Sequence, residues 1–298
     1  MPEVPAAPEG AAPLTRDAPP WVDAAWLAAV PRTVERCARQ WRLTIGERLG
    51  TGNTSRVFEC VDDRGRALVL KLAPAEMRPD LEAAALTAWA GNGAPELVAA
   101  DGASGALLLS RLLPGTPLPP GDDDKAVELI SPTLVALHSV ALTSAHKFPS
   151  QLDFLDTWRG WVLRSAEPET EGLRLLDQAL SVARAMCVEP VPHVLLHGDF
   201  IDKNLLVDRG SYLAVDPIPR VGDPASDVGF FSAYHSPARN IERRARALAD
   251  RCGIDGIRAA RWAAVWAVGE ATETWRKDSG ELQAWVSGRE AAALLAGG

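Results

Sequence analysis

Short apolar runs in the first third of the chain are typical of a β-meander that follows a helix. The elements predicted there are a helix over residues 22–40 and strands over 41–49, 56–62 and 67–72. The glycine-rich segment Gly50-Thr51-Gly52 separates the first two strands, and the turn Asp62-Asp63-Arg64-Gly65 separates the last two. We therefore expect three strands that pair in antiparallel order.

A second group of elements precedes a break in the regular pattern. Pro79 fits the first turn of a helix, and good helix formers follow as far as residue 90. Two short strands, at 96–101 and 106–109, come next. The segment 113–121 is too rich in proline and glycine for either regular structure, so we expect a hinge or domain boundary there.

The rest of the chain has mainly helical periodicity. The predicted helices cover residues 124–140, 154–165, 171–187, 238–251 and 254 to the end, with a break near Ser279 and Gly280. Short strands are predicted at 194–196, 205–207 and 212–215. The fold class is therefore α+β, with a small β-rich lobe before a larger helical lobe. The predicted divisions are a disordered tail (1–20), a first lobe (21–112), a linker (113–121) and a second lobe (122–298).

The charge balance narrows the classes of ligand. The chain has 298 residues, with 31 Lys and Arg against 39 Asp and Glu, which gives a net charge of −8. Clustered cations provide most of the affinity for phosphate backbones, so this balance argues against a nucleic-acid binder. An acidic chain is better suited to cationic ligands.

Targeting and redox features favour a cytoplasmic protein. The four cysteines are far apart and form no CxxC pair, which argues against a zinc cluster or a disulfide framework. The sequence has no run of about 18 apolar residues to span a bilayer. Its first 20 residues lack the basic start and the apolar run of a signal peptide. We expect a monomer or weak dimer that binds no membrane.

The strongest chemical signal is the segment 197–204, with the sequence HGDFIDKN. A loop with Asp199 and Asn204 leads into a predicted hairpin, and Asp216 follows its second strand, so the three side chains can converge at one end. Carboxylate and amide oxygens suit Mg²⁺, and phosphate oxygens can complete its octahedron. The remaining carboxylate can orient an attacking hydroxyl and accept its proton.

Residues upstream provide the parts of a phosphate-binding site. Gly50 and Gly52 allow backbone amides to approach phosphates closely, because glycine adopts positive φ and has no Cβ. Lys71 lies at the end of the third predicted strand, where a buried cation needs a partner or a phosphate. Glu82 lies eleven residues later, on the following helix.

These motifs together resemble the aminoglycoside phosphotransferase family, which has the protein-kinase fold. The HGD segment, with Asn204 five residues after its aspartate and then Asp216, is similar to the catalytic and metal-binding loops of that family. Gly198 stands where protein kinases usually have arginine, which favours the antibiotic-kinase branch. The segments VDP (215–217), VGDPASD (221–227) and WLAAVP (26–31) are similar to the streptomycin 6-phosphotransferase and hydroxyurea-kinase group.

The resemblance implies a bilobal fold, the cofactors ATP or GTP and Mg²⁺, and a role for each matching residue. Asp199 is expected to act as the catalytic base or to position the hydroxyl, while Asn204 and Asp216 bind Mg²⁺. His197 and Asp227 are expected to support the loop through hydrogen bonds. The implied nucleotide-binding residues are Gly50, Gly52, Ser55, Lys71 and Glu82, with Lys71 on the α- and β-phosphates and Glu82 as its ion-pair partner.

Three departures argue against a regulated protein kinase. Ser55 replaces a glycine often found in the nucleotide loop, so its hydroxyl would contact the nucleotide instead. Ile201 stands where serine/threonine kinases have a lysine. Pro217-Ile218 follows Asp216 in place of Phe-Gly.

The acceptor site is expected in two places. Asp202 lies within the catalytic loop, and in related streptomycin kinases the C-terminal helices help to wall the acceptor pocket. The expected acceptor-binding residues are Asp202, Trp266, Glu270 and Glu273. Helix-packing core is the alternative interpretation of Trp262 and Trp266, which are four residues apart.

The predicted function is phosphorylation of a hydroxyl on a small-molecule antibiotic, most closely a streptomycin-like aminoglycoside, which gives resistance. Two alternatives stay open. The acceptor could be another hydroxylated antibiotic or metabolite, such as hydroxyurea or a nucleoside antibiotic. The chain could instead bind a nucleotide or ligand without catalysis, although Lys71, Asp199, Asn204 and Asp216 are all present.

Overall fold

The computed structural model of the chain describes residues 22–50, 54–121, 123–143, 147–165, 170–235, 240–274 and 280–296. The predicted tail, residues 1–20, lies outside the described residues. Two compact units are present: the smaller extends to Ala83 and includes Leu97–Arg111, and the larger comprises Ala84–Glu96 and the chain from Leu112 onward. Residues 84–96, which the sequence assigned to the first lobe, thus group with the larger unit. Within these ranges, no helix has both the length and the apolar character needed to cross a bilayer.

The smaller unit contains a five-stranded antiparallel sheet. Its elements are α1 (Ala24–Trp41), β1 (Leu43–Leu49), β2 (Arg56–Asp62), β3 (Ala67–Leu72), β4 (Leu97–Asp101) and β5 (Ala106–Ser110). The strand order is β1-β2-β3-β5-β4, and each neighbouring pair is antiparallel. The predicted meander is therefore confirmed.

Alternation along β3 decides which side chains enter the core of this unit. The buried core residues are Val30, Cys37, Leu43, Cys60, Leu68, Leu70, Leu72, Ala106 and Leu108. Full burial of one leucine side chain contributes about 2 kcal/mol. Successive side chains of a strand point to opposite faces, so Lys71, between Leu70 and Leu72, points away from this core.

The helix α2 (Pro79–Trp89) follows Arg78, which has a left-handed φ of 52°. Pro79 occupies its first turn as predicted, because proline lacks only an N–H that would have no partner within the helix. Glu82 lies in the same turn. The bounds of α2 agree with the prediction to one residue.

The larger unit is mainly helical. Its elements are β6 (Pro114–Pro117), α3 (Asp123–His138), α4 (Gln151–Ser165), α5 (Thr170–Val188), β7 (Val194–Leu196), β8 (Leu205–Asp208), β9 (Ser211–Ala214), β10 (Arg220–Gly222), α6 (Ala225–Tyr234), α7 (Ile241–Cys252), α8 (Gly256–Thr274), α9 (Gly280–Val286) and α10 (Arg289–Ala296). The predicted hairpin is β8–β9, to which β6 adds as an edge strand, and β10 pairs with β7.

The segment 113–121 contains a strand, although the sequence predicted no regular structure there. Pro114–Pro117 forms β6 beside β8, with an irregular register. The N–H of Arg209 donates to the carbonyl of Leu113 at 3.0 Å, and the N–H of Leu118 donates to the carbonyl of Leu205 at 2.9 Å. Proline is accepted at a sheet edge, where a missing donor breaks no inner ladder. The prolines therefore limit this strand to an edge without preventing it.

The helices α6 and α8 pack closely in the core of the larger unit. A Cβ on Gly229 of α6 would lie only 2.6 Å from the Cβ of Trp262 on α8, so the glycine permits this approach. The described residues of α6 up to Ala233 are all buried. This packing fixes α6, whose two ends contact the loop described below.

Candidate active site

Lys71 and Glu82 form a buried ion pair in the smaller unit. Lys71 lies on β3, paired with both β2 and β5, and Glu82 lies on α2. The Nζ atom of Lys71 is 2.6 Å from each carboxylate oxygen of Glu82, and both side chains are buried. Removing one partner would leave a buried charge uncompensated, at a cost of about 3–5 kcal/mol. This is the pairing that the resemblance implied.

The glycine-rich segment 50–52 lies between β1 and β2 in the chain. Gly50 directly follows β1 and has a φ of 67°, a conformation that glycine adopts without a steric penalty. Ser55 directly precedes β2 and is half-buried. Gly52, predicted to act with them, lies outside the described residues.

Asp199 and Asn204 are joined by hydrogen bonds in the larger unit. Asn204 ends a 3₁₀ turn, Asp202–Asn204, and its Nδ2 donates to the Oδ2 of Asp199 at 2.7 Å and to the carbonyl of Asp199 at 2.9 Å. An amide binds a cation through its oxygen, and in Asn204 it is Nδ2 that faces Asp199. The loop thus holds a carboxylate and an amide oxygen side by side.

Asp216 lies at the same end of the β8–β9 hairpin as Asn204. Leu205 pairs with Ala214, and the N–H of Val215 donates to the carbonyl of Asn204 at 2.8 Å. Asp216 is the next residue; it is exposed and has a φ of 57°. The backbone therefore brings Asp216 next to Asn204, whose side chain bonds to Asp199. That the three side chains converge stays a prediction.

Gly198 lies where the loop comes closest to the segment after Asp216. Its φ is 79°, and a Cβ at this position would lie 2.1 Å from the carbonyl oxygen of Ile218. The N–H of Ile218 donates to the carbonyl of His197 at 2.9 Å, which fixes the approach. The arginine that protein kinases usually have here would not fit.

Arg220, which the sequence analysis did not select, supports the same two segments. Its guanidinium donates to the carbonyls of Gly198 at 3.2 Å and Ile218 at 3.1 Å, and to Gln151 Oε1 at 2.7 Å. It also lies over the ring of Phe154, 3.7 Å from the centroid. Burial lowers the pKa of Arg220 to about 10, so the group stays a cation at neutral pH. No sequence pattern marks an arginine in a three-residue strand as buried.

Asp227 anchors the backbone on the N-terminal side of Asp199. Its carboxylate accepts hydrogen bonds from the N–H of His197 at 2.8 Å and of Gly198 at 2.9 Å, and it lies 3.0 Å from Nε2 of His138. Burial acts to raise the pKa of Asp227, but the hydrogen bonds and charges around the carboxylate, with the hydrogen bond to His138 first among them, together lower that pKa. Asp227 therefore remains a carboxylate that can accept these bonds, as the resemblance implied.

The two titratable side chains of the HGD segment are shifted in opposite directions. Burial lowers the pKa of His197 to about 4, so its ring is neutral at pH 7. Burial raises the pKa of Asp199, and the charge of Lys203 and the hydrogen bond from Asn204 oppose that shift only in part. A higher pKa makes the Asp199 carboxylate a better proton acceptor than an ordinary aspartate.

The neutral His197 predicts a pH dependence of the free energy of unfolding. Its folded pKa of about 4 is below the ordinary 6.5, so the unfolded chain takes up the extra proton between these values. The stability is fully present above about pH 6.5 and falls by on the order of 3 kcal/mol as the pH approaches 4. The non-titrating variant His197→Phe should lose less stability between pH 7 and about pH 4.5 in urea unfolding. Equal losses in the two proteins would contradict a neutral His197.

Trp266 does not present its ring to a ligand, which corrects the prediction that it binds the acceptor. Its side chain is 0% exposed. The ring lies edge-on to Trp158 at 4.7 Å and stacks on Trp262 at 5.7 Å, and its Nε1 donates to the carbonyl of Ser226 at 3.1 Å. The position belongs to the helix-packing core because α8 is enclosed by its neighbouring helices.

The other predicted acceptor residues are Asp202, Glu270 and Glu273. The Asp202 carboxylate is 2.7 and 2.8 Å from Nδ1 of His235, so its oxygens already accept a hydrogen bond. Glu270 on α8 is half-buried. The side chain of Glu273 lies outside the described residues. Contact of Asp202, Glu270 and Glu273 with the acceptor therefore stays a prediction.

Solved structures identify the class of this fold. The structure of a choline/ethanolamine kinase family protein from Mesorhizobium loti is similar to the chain with a TM-score of 0.61 and 19% sequence identity, over 89% of this chain and 94% of that one. At this identity the likeness shows the fold alone. The α+β, protein-kinase-like fold implied by the resemblance is confirmed.

Sequence relatives narrow this class to one family. A family model described as "Aminoglycoside/hydroxyurea antibiotic resistance kinase" matches residues 40–280. A streptomycin 6-kinase from Streptomyces griseus is 32% identical over 260 residues, 80% of each chain. A hydroxyurea phosphotransferase from Kitasatospora aureofaciens is 28% identical over 270 residues, 86% of this chain and 76% of that one. The chain belongs to the aminoglycoside/hydroxyurea antibiotic resistance kinase family and is a phosphotransferase with a hydroxyl acceptor.

Proposed function

We propose that this chain transfers the γ-phosphoryl group of ATP or GTP to a hydroxyl of a streptomycin-like aminoglycoside, which inactivates the antibiotic. The observation that carries the proposal is the loop in which Asn204 holds Asp199 beside the backbone that leads to Asp216. The 32% identity to a streptomycin 6-kinase over 80% of the chain supports the choice of acceptor. A net charge of −8 agrees with a cationic substrate.

Asp199 is the residue that acts on the acceptor. Its carboxylate accepts a hydrogen bond from the attacking hydroxyl, orients it in line with the γ-phosphorus atom and takes up its proton. Phosphoryl transfer needs little covalent help from a protein, so positioning of the reacting groups is the main contribution. The hydrogen bond from Asn204 keeps the carboxylate in one orientation.

Asn204 and Asp216 are the residues that would hold Mg²⁺, which neutralises charge on the phosphates when it is bound. An amide oxygen and a carboxylate are the hard oxygen ligands that Mg²⁺ prefers. In the part of the chain that the structure describes, no group of three or more His, Cys, Asp or Glu side chains is arranged to hold a metal. Asn204 and Asp216 would supply two of the oxygen ligands of Mg²⁺, and the bound ion would neutralise charge on the phosphates.

Lys71 is the residue proposed to neutralise the α- and β-phosphates. Glu82 fixes the Nζ atom of Lys71 through both carboxylate oxygens. A lysine acts on phosphate as a point charge, so this fixed position decides where the charge is placed. Gly50 and Ser55 are the described residues of segment 50–55 that we assign to nucleotide binding.

The metal assignment predicts different responses at Asp216 and Asn204. Asp216→Asn is expected to raise the Mg²⁺ concentration for half-maximal activity at least about tenfold, because it removes a charged ligand. Asparagine tolerates the positive φ at this position, so the backbone should be retained. Asn204→Ala should raise the same requirement and also lower kcat at saturating Mg²⁺, because Asp199 loses its hydrogen bond. A Mg²⁺ titration of each variant separates these effects, and an unchanged requirement in Asp216→Asn would contradict the assignment.

A second acceptor, hydroxyurea, is favoured by one specific finding, the 28% identity to a hydroxyurea phosphotransferase. Both acceptors carry a hydroxyl, so the loop around Asp199 serves either reaction. The difference would lie in the residues that contact the remainder of the acceptor.

An acceptor screen tests the proposal. The protein is incubated with Mg·ATP or Mg·GTP alone, and then with streptomycin, hydroxyurea or a nucleoside antibiotic, while release of nucleoside diphosphate is measured. We expect streptomycin to stimulate release far above the rate without acceptor. Stimulation only by hydroxyurea would select the second acceptor. Stabilisation by Mg·nucleotide without turnover on any acceptor would instead identify a non-catalytic binding protein.

A further inference from the structure

Asp202 is held by a buried histidine from a distant part of the chain. Its two carboxylate oxygens lie 2.7 and 2.8 Å from Nδ1 of His235, which is 33 positions away. The side chain of His235 is 0% exposed and that of Asp202 is 22% exposed. A carboxylate can only accept hydrogen bonds, so Nδ1 of His235 is the donor. Sequence analysis assigned this carboxylate to the acceptor, whereas in the structure it accepts a hydrogen bond from within the protein.

The ring of His235 has little freedom to move. It stacks on Phe231, one turn earlier, with a centroid distance of 5.0 Å and an interplanar angle of 21°. Arg244 of α7 donates to the carbonyl of His235 at 2.7 Å and to that of Ser232 at 2.8 Å, which fixes the end of α6. The same guanidinium pairs with Asp123 at the start of α3. His235 is therefore a rigid donor within the core of the larger unit.

The second ring nitrogen of His235 makes no hydrogen bond among the described residues. Its Nε2 lies 3.9 Å from Oδ1 of Asp123, beyond hydrogen-bond distance, and is buried without a partner. The Asp123 carboxylate instead accepts bonds from Arg244 and from Nδ2 of Asn240. Asp202 is thus the hydrogen-bond partner of the ring in this part of the molecule.

The two ends of α6 hold the loop on either side of Asp199. Asp227, in the first turn, accepts the N–H groups of His197 and Gly198, and His235, directly after the last residue, donates to Asp202. Ordering each residue of an irregular loop costs about 1–2 kcal/mol in backbone entropy. The hydrogen bonds of Asp227 and His235, at the two ends of one packed helix, offset part of that entropy cost before the substrate binds.

We propose that His235 is a positioning residue of the catalytic loop. Its Nδ1–H fixes Asp202, and Asp202 fixes the 3₁₀ turn that ends at Asn204, the residue that orients Asp199. Asp202 is accordingly an anchor of the loop and not a carboxylate that binds the cationic acceptor. This inference rests on the proposed roles of Asp199 and Asn204.

A matched pair of variants at His235 tests the donor. His235→Phe keeps a flat ring for stacking on Phe231 and removes the donor, whereas His235→Asn places an amide N–H near the position of Nδ1. We expect His235→Phe to lower kcat about 10- to 100-fold, because a small misplacement of reacting groups has effects of this size. KM for the acceptor should stay within about twofold, and His235→Asn should recover most of the lost kcat. An equal loss in both variants, or an unchanged kcat in His235→Phe, would overturn the proposal.

Variants at Asp202 distinguish an anchor from an acceptor contact. Asp202→Asn keeps an oxygen that can accept the His235 hydrogen bond but removes the charge. An anchor predicts that KM for the acceptor stays within about twofold and that kcat falls less than in Asp202→Ala, because the amide oxygen accepts a weaker hydrogen bond than the carboxylate. Contact with a cationic acceptor predicts a KM increase of about tenfold or more, which would overturn the proposal. Asp202→Ala also removes this hydrogen bond, and Asp202 is the more exposed of the two partners. This variant therefore replaces His235→Phe in the test if His235→Phe does not fold. The double variant should lose no more kcat than either single variant, because both break the same bond.

Amide hydrogen exchange of residues 199–205 keeps this inference separate from the proposed function. Loss of the anchor should accelerate exchange in Asp202→Ala and His235→Phe, and His235→Asn should restore protection. This measurement needs no substrate. If the wild-type protein phosphorylates no acceptor while the exchange pattern is as expected, the proposed function fails and the anchor remains. Unchanged exchange in an active enzyme would overturn the anchor alone.

Discussion

Replacing Asp199 with alanine is expected to lower kcat at least about a thousandfold while the affinity for nucleotide changes little. The carboxylate orients the hydroxyl and accepts its proton, whereas the carboxylate of Asp227 is already bonded to the N–H groups of His197 and Gly198. Asn204 donates to Asp199 and contributes no base. Steady-state kinetics with a saturating acceptor give kcat, and calorimetric titration with Mg·nucleotide gives the affinity.

A matched aspartate on the surface controls for the loss of a carboxylate as such. Asp177 on α5 is exposed and pairs with Arg159 at 3.3 Å, so Asp177→Ala should leave kcat unchanged. Substantial turnover in Asp199→Ala would contradict the role assigned to Asp199. A parallel loss of nucleotide affinity would show that the variant disturbs more than the acceptor.

The second large effect is expected at Asp227, where Asp227→Asn should reduce the free energy of unfolding by about 3–5 kcal/mol. The carboxylate accepts hydrogen bonds from two buried N–H groups and from His138. An amide offers one oxygen and adds a donor, so at least one buried N–H group loses its acceptor. Urea unfolding measures the loss, and kcat should fall with it because the backbone before Asp199 is no longer fixed.

Asp177→Asn is the control for this substitution. A surface ion pair contributes about 0–1 kcal/mol, so this variant should unfold close to the wild-type urea concentration. If Asp227→Asn unfolds at that concentration too and keeps its kcat, the carboxylate does not anchor the loop. If Asp227→Asn keeps the stability of the wild-type protein and loses only kcat, the role of Asp227 is limited to the active site.

Local patterns predicted the smaller unit well. The strands β2 and β3 have the predicted bounds because the turn at Asp62 is itself stabilised: the carboxylate of Asp62 accepts the N–H groups of Arg64 and Arg66 at 3.0 and 2.8 Å. The resemblance also implied the pair of Lys71 with Glu82, and the structure contains it. The end of a strand and the first turn of the next helix lie close in sequence. The turn at Asp62 and the pair of Lys71 with Glu82 both depend on residues that are close in the sequence.

The helix α6 was missed as a full element because it has no amphipathic pattern. The described residues from Ala225 to Ala233 are all buried, so apolar and polar positions do not alternate with helical periodicity. The strands β6 and β10 escaped prediction for a related reason, since each is very short and depends on a partner strand elsewhere in the chain.

Contacts between residues far apart in the sequence explain the remaining differences between the predicted and the observed candidate site. The Asp202–His235 bond joins residues 33 positions apart, and nothing in either local sequence indicates it. Trp266 was assigned to the acceptor from its position on a C-terminal helix, yet three neighbouring aromatic rings enclose it. The chemical identity of a motif could be predicted from the sequence, but the burial of a single side chain depended on packing between distant elements.

The most direct test of the central claim is a structure of the protein with Mg²⁺, a non-hydrolysable nucleotide and streptomycin. The account predicts one antibiotic hydroxyl within about 3.2 Å of the Asp199 carboxylate. It also predicts that Asn204 Oδ1 and the Asp216 carboxylate are ligands of the bound Mg²⁺. A complex in which Asp199 faces no hydroxyl, or in which the metal is bound without Asn204 and Asp216, would contradict it.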